Sequence, residues 1–135
     1  MPLTKGRFFM NEVVKEWMTK AEGDFQTAGR EFQAEPPNYD AVCFHAQQCI
    51  EKYMKALLIE SRQVPPKVHD LVVLAAMIKQ VRPTWDWPVE ALRLLSRAAV
   101  IYRYPGESAE REEAEAVLAV CRSLRESLRS ELGVG

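Results

Sequence analysis

The sequence predicts an all-α fold: an antiparallel, up-and-down bundle of the four-helix type, made from about five helices. Three observations predict it. Apolar residues recur at steps of three and four along most of the chain, which gathers them on one stripe of a helix. Prolines and glycine interrupt that pattern at four places: Pro36–Pro37, Pro65–Pro66, "RPTWDWP" and "YPGES". Alternation of the kind a half-buried strand needs is absent, as are tandem repeats and low-complexity tracts.

Each element follows from its own residues. Val14, Met18, Ala21, Phe25, Ala28 and Phe32 lie on one helical stripe, which ends before Pro36 and Pro37. Asn38 is placed to cap the second helix, about Tyr39 to Ser61. Its stripe is Val42, Ala46, Cys49, Tyr53 and Leu57, widened by Ile50 and Met54, and Pro65–Pro66 break the chain after it. A shorter third helix runs from about Asp70 to Val81, with Leu71, Leu74 and Ile78 on one side and Asp70 as its cap. "RPTWDWP" is a stiff link to a fourth, about Pro88 to Tyr102, carrying Leu92, Leu95 and Ala99. After "YPGES", in which Ser108 is expected to cap, the fifth runs from Ser108 to Leu132 on Ala114, Val117, Cys121, Leu124, Leu128 and Leu132. Gly133 follows where a helix end favours positive φ. Helices one, two and five are each roughly 30–36 Å long at 1.5 Å per residue. Their stripes share a core only when laid side by side, and the third and fourth are expected to complete the wall together.

A chain of 135 residues is expected to form one domain, 1–135, and to bury roughly two-thirds of its unfolded surface. Eighteen basic and nineteen acidic residues give a net charge of −1, which argues against a strongly basic nucleic-acid binder but leaves room for a local patch such as Arg93, Arg97 and Arg103. Three cysteines, an odd number, and a first dozen residues without the apolar run of a signal peptide lead to the expectation of a reduced, cytoplasmic protein. No stretch has the roughly 20 apolar residues that span a bilayer, so no membrane is expected.

Candidate chemistry concentrates in two stretches. In "FHAQQCIEKYMKALL", His45, Gln48, Lys52 and Lys55 are spaced by three, four and three and form a line opposite Ala46, Ile50 and Tyr53. One reading is a solvated helix face. The other is a polar groove, in which amides hydrogen-bond a base and lysines meet phosphate, with Phe44 beside them to stack on a base or seal an interface. In "LLSRAAVIYRYP", Arg97, Tyr102, Arg103 and Tyr104 gather two cations and two phenols at a helix C-terminus. They either complement the helix dipole and cap the core, or recognise phosphate through the guanidinium fork. Cys43, His45 and Cys49 are spaced by two and four, which does not put three ligands on one face; they are read as core residues around a histidine, and no metal is expected. His69 and Asp70 are read as a hinge. No catalytic triad, glycine loop or paired carboxylates are present, and no cofactor is called for.

Trp17, Ala21, Asp24 and Ala28 in "WMTKAEGDFQTA", then "CFHAQQCIEKYMKALL", "VHDLVVL" and "RYP" in that order, resemble the HEPN family, the higher eukaryotes and prokaryotes nucleotide-binding domain. The likeness covers about Val13 to Leu132 and is most specific in the "FHAQQCIEKYMKALL" segment. It implies an up-and-down helical bundle, a homodimer, frequent pairing with a small nucleotidyltransferase, and a role in nucleotide or RNA transactions. Several branches are metal-independent ribonucleases, often toxins of toxin–antitoxin pairs. These carry an arginine and a histidine with four to six residues between them, and in the toxin branch a tyrosine two residues on, which the partner adenylylates. On this sequence Arg97 matches the arginine and Tyr104 the tyrosine, but the histidine position holds Tyr102. A phenol with a pKa of about 10 is a poor proton shuttle where an imidazole near 6.5 is required. Arg62 and His69 satisfy the spacing too, yet they flank the linker "QVPPKV" and are set aside.

The sequence is therefore read as a non-catalytic nucleotide-binding or interaction module, with no catalytic residues assigned. Arg97 and Arg103 are expected to meet phosphate, with Tyr102, Tyr104, His45, Gln48 and Lys52 as further candidates. Its alternatives are a metal-independent ribonuclease toxin and a plain assembly scaffold.

Overall fold

The computed structural model describes residues 11–135. The signal-peptide reading of the first dozen residues lies almost wholly outside them. The described residues form five helices and no strand: α1 Glu12–Gln33, α2 Tyr39–Glu60, α3 Leu71–Val81, α4 Val89–Ile101 and α5 Arg111–Glu131. None of these helices is long and apolar enough to cross a membrane.

Helix boundaries follow local chemistry. The Asn38 side chain accepts from the Ala41 N–H at 3.1 Å and Asp70 from Val72 N–H at 2.9 Å, each satisfying a donor that the first helical turn leaves open. Asn11 does the same for Val13 at 2.7 Å. Gly133 has φ +77° just beyond α5. Ser108 does not cap α5. The Ala109 N–H donates to Asp40 Oδ1 at 2.7 Å, which ties this stretch to the start of α2, and the helix begins only after Glu110, whose N–H donates to Glu113 Oε1 at 2.6 Å.

Pairs of side chains give the directions of the helices. Along α1 and α2, Phe32 meets Tyr39 while Trp17 meets Lys55, so the two are antiparallel. Along α2 and α5, Tyr39 meets Arg111 and Tyr53 meets Arg129, so these two run the same way. Trp85, just before α4, donates to Ser127 near the end of α5, and the chain then climbs to Tyr102 at the opposite end of the bundle. The up-and-down bundle thus consists of α1, α2, α4 and α5. Among the helices, α3 packs only on α2 and α4, and it is an insertion rather than half of a wall. The reason lies in the Pro65–Pro66 link. It carries the chain back to mid-α2, where the His69 carbonyl accepts from Gln47 Nε2 at 3.1 Å, and α3 then descends to Arg82, which reaches Ser61 and Glu131.

Helix α2 packs against all four others. Ile50, Tyr53, Met54, Leu57 and Leu58 are fully buried in it, against Leu71, Leu74, Leu92, Leu95, Leu124 and Leu128 from its neighbours. Cys43, Cys49 and Cys121 are free, buried thiols. Burial, with Asp40 and Glu113 nearby, pushes Cys43 up to about 12. Cys49 is raised by its hydrogen bond with Cys121 and by burial. Cys43 and Cys49 stay protonated, and all three thiols serve as small apolar core groups.

The α1–α5 seam is polar and aromatic. Arg125 forks onto Glu22 with two 2.7 Å bonds and lies 4.4 Å over the Phe25 ring, while Arg111 lies 4.9 Å over Phe32. Phe25 and Phe32, expected on the apolar stripe, are half-buried beneath these guanidinium groups. Tyr53 donates to Glu22 and accepts from Arg129. The Arg125 hydrogen bond, aided by Tyr53 and opposed by burial, holds the Glu22 carboxyl below its ordinary 4.5. A carboxyl depressed in the folded state stabilises the fold above its unfolded value and loses that stabilisation as pH falls through the folded one. Stability is therefore expected to decline once pH drops below about 4.5. Glu22→Gln is expected to be less stable at neutral pH and to show a shallower acid slope, as read from urea midpoints at pH 7, 5 and 3.5.

Candidate functional site

The polar residues of α2 form two clusters on different sides of the helix. On the α1 side, the Asp24 carboxylate bridges His45 Nδ1 at 2.8 Å and Lys52 Nζ at 2.5 Å. On the α3 side, the buried Glu51 carboxylate takes three partners: Gln47 Nε2 at 3.1 Å, Lys55 Nζ at 3.0 Å and His69 Nδ1 at 2.8 Å. The predicted line His45–Gln48–Lys52–Lys55 is thus divided. His45 and Lys52 turn to α1, and Lys55 is buried on Glu51 with its ammonium 5.9 Å from the Trp17 ring centre. A helix packed on every side has too little wet surface to leave four polar residues in solvent, and a buried charge must be paired. Burial tends to raise the Glu51 carboxyl, but the bonds from His69, Gln47 and Lys55 outweigh it and leave it lowered.

Gln48 alone of that line opens onto a cleft of about 550 Å³ between α2, the entry to α3, and α4. Phe44, Gln48 and His69 line it from one side, and Ser96 and Val100 of α4 with Arg103 of the turn after it from the other. Gln47 has no donor to spare: both amide hydrogens go to Glu51 and the His69 carbonyl, and its oxygen accepts from Gln48 at 2.9 Å. Gln48 spends one N–H there and keeps its carbonyl and second N–H for a ligand. A second hollow of about 430 Å³ shares Asp70 and Ser96 with the cleft and carries Arg93 and Arg97. Arg93 is engaged by Glu90 at 3.1 Å. The two hollows therefore form one surface with Gln48 and Arg103 at one end and Arg97 at the other.

The tyrosines stand apart. Tyr102 caps α4, is half-buried and packs on the core, and burial raises its phenol, as do Glu113 and other acidic neighbours. Tyr104 is 61% exposed beyond the helix end, and neither tyrosine lines either hollow. Arg62 has φ +63° and stays exposed outside both hollows, so it does not join His69. Cys43, His45 and Cys49 do not converge, and the described residues hold no group of three metal-ligating side chains.

Sequence reasoning passed over Gln47 and Glu51 and gave His69 a hinge role. A signal was present: Gln47, Glu51 and Lys55 sit at successive steps of four, the spacing that lets a helix satisfy its own carboxylate. The pairing of Glu51 with His69, eighteen residues away, has no local signature.

A bundle of four antiparallel helices with a short fifth inserted between the second and the fourth, and a cleft at that insertion, defines a class of small helical-bundle domains. This chain belongs to the HEPN domain family, whose family model matches residues 14–131. The structure is similar to that of TT1696 from Thermus thermophilus, with a TM-score of 0.73 and 22% identity over 87% of this chain and 97% of that one. It is also similar to ST0689, an archaeal HEPN homologue, with a TM-score of 0.61 and 19% identity over 88% and 97%. Both likenesses are of fold. No curated protein matches the chain.

Removing one partner from a buried ion pair strands the other charge. Lys55→Met is expected to destabilise the protein by about 3 kcal/mol, measured by denaturant unfolding. Lys52→Met, whose ammonium is more exposed, is expected to cost less than half of that.

Proposed function

We propose that this HEPN protein is a non-catalytic module that binds a nucleotide on the α2–α4 cleft and works beside a small nucleotidyltransferase, as a homodimer. The observation that carries the binding is the meeting of unlike groups in one hollow: an aromatic ring at Phe44, a half-free amide at Gln48 and an exposed guanidinium at Arg103. Its volume of about 550 Å³ suits a nucleotide-sized ligand. The ring offers a stacking face for a base, the amide a donor and an acceptor side by side, and the guanidinium a fork for phosphate. Arg97, in the adjoining hollow, extends the cationic surface along α4. His45 and Lys52, already spent on Asp24, are the least suited of the candidates to meet the ligand. The homodimer and the nucleotidyltransferase are carried by family membership.

The half-buried phenol at Tyr102 supports binding over RNA cleavage, because its raised proton affinity takes it further from use as a base at neutral pH. Tyr104 is exposed enough to accept a modification from the partner.

Calorimetry with ATP, alone and with the partner, tests the proposal. Arg103→Ala is expected to weaken binding by about tenfold or more, since a hydrogen bond to a charged group contributes about 1.5–3 kcal/mol. Arg97→Ala is expected to weaken it less. Absence of heat at millimolar nucleotide with the partner present overturns the binding reading. Partner capture unchanged by Arg97→Ala and Tyr104→Phe, with no nucleotide bound, leaves the scaffold reading standing.

A further inference from the structure

The chain has two histidines, and both present Nδ1 to a carboxylate. Their surroundings differ. At His69 the carboxylate is Glu51, itself only 6% exposed, while the imidazole side chain is 79% exposed. The ring is therefore held to the protein at Nδ1 and is otherwise open, on a residue that lines the cleft. Glu51 is held ionised by its three donors, and a carboxylate only accepts, so Nδ1 is the donor. In the neutral ring Nε2 then keeps its lone pair, on a side chain that lines the same hollow as Arg103 and the half-free amide of Gln48. A nitrogen lone pair backed by a buried carboxylate, with a guanidinium in the same hollow, is the arrangement of an oriented nucleophile.

His45 lacks these features. Its carboxylate, Asp24, is shared with the Lys52 ammonium, its side chain is 29% exposed, and the Phe44 ring stands edge-on at 5.2 Å. It does not line the cleft.

We propose that His69 Nε2 is a phosphoryl-accepting site, which takes a phosphoryl group from a small donor with a good leaving group and holds it in the cleft as phosphohistidine. The proposal rests on the reading of this cleft as a phosphate-binding surface. In the step, the Nε2 lone pair forms the N–P bond while the bond from phosphorus to the leaving group breaks, and the leaving group departs with that electron pair. The Nδ1 proton stays on the ring and donates to Glu51, whose negative charge offsets the positive ring. Arg103 takes up charge on the phosphoryl oxygens. With phosphoramidate as donor, the leaving nitrogen is already protonated and departs as ammonia, so no further proton source is needed.

The test is to incubate the whole protein with potassium phosphoramidate at neutral pH, without nucleotide or partner, and to follow adducts by time-resolved mass spectrometry with each histidine mapped. A single acid-labile, alkali-stable phosphoryl adduct on His69 is expected. It should form at least about tenfold faster than on His45 or on free N-acetylhistidine, the lower end of what a carboxylate behind a histidine contributes. Glu51→Gln, checked for folding by circular dichroism, is expected to slow it by about the same factor, and Arg103→Ala to slow it as well. Labelling of His69 no faster than N-acetylhistidine, or at the wild-type rate in folded Glu51→Gln, overturns the proposal. Should Glu51→Gln fail to fold, the comparison of His69 with His45 and N-acetylhistidine in the native protein decides by itself. Adduct formation without nucleotide affinity removes the nucleotide reading and keeps this site, and nucleotide heat without an adduct does the reverse.

Discussion

The carboxylate of Glu51 lies out of water in the middle of α2, and a charge in that position is tolerated only if donors surround it. Two donors come from its own helix one turn either side, at Gln47 and Lys55, and the third from His69 at the end of the proline link. Much of the molecule's functional geometry descends from this requirement. Holding His69 to Glu51, and its carbonyl to Gln47, fixes where the link ends and so where α3 begins. Starting α3 at mid-α2 leaves the upper part of α2 facing α4 without a helix between them, and that gap is the cleft.

Helix α2 thus divides its polar residues by neighbour. Toward α1 it offers His45 and Lys52 to Asp24, a closed arrangement in which each charge already has its opposite. Toward α3 and α4 it offers Gln48, with hydrogen-bonding capacity left over, beside an imidazole whose outer edge is free. A surface that binds must keep some of its polar groups unspent in the resting state, and only the second side does. The same reasoning separates the arginines. Arg125 and Arg111 are engaged by carboxylates and lie over aromatic rings on the α1–α5 seam, whereas Arg97 and Arg103 stand in open hollows.

Helices were legible because their signals are local. The steps of three and four, the caps at Asn38 and Asp70, the breaks at the proline pairs and the glycine after Leu132 all act within a few residues, and each appears where the pattern placed it. What was not legible depends on distant partners. A helical wheel for α2 assumes one buried side, yet this helix is enclosed by four others, so Lys55, read as part of a wet face or of a polar groove, lies in the interior. Ser108 lost the cap because Asp40, some seventy residues earlier, claims the backbone of Ala109. Among the site candidates, the cleft brings together Gln48 and Arg103, with Arg97 adjoining. It leaves out His45, Lys52, Tyr102 and Tyr104, and it adds His69, whose role depends on a carboxylate with no sequence neighbour to announce it.

The Glu22–Arg125 fork joins residues 103 positions apart, across the first and last helices. A ribosome delivers α1 long before α5, so the growing chain carries Phe32 without its cover until Arg111 is made, and Glu22 and Phe25 without Arg125 until synthesis has passed it. α1 and α2 have their mutual contacts available before then, but the seam with α5 cannot form until α5 is made. Closure waits for the final helix, and a nascent chain halted before it leaves Phe25 and Phe32 without their guanidinium cover.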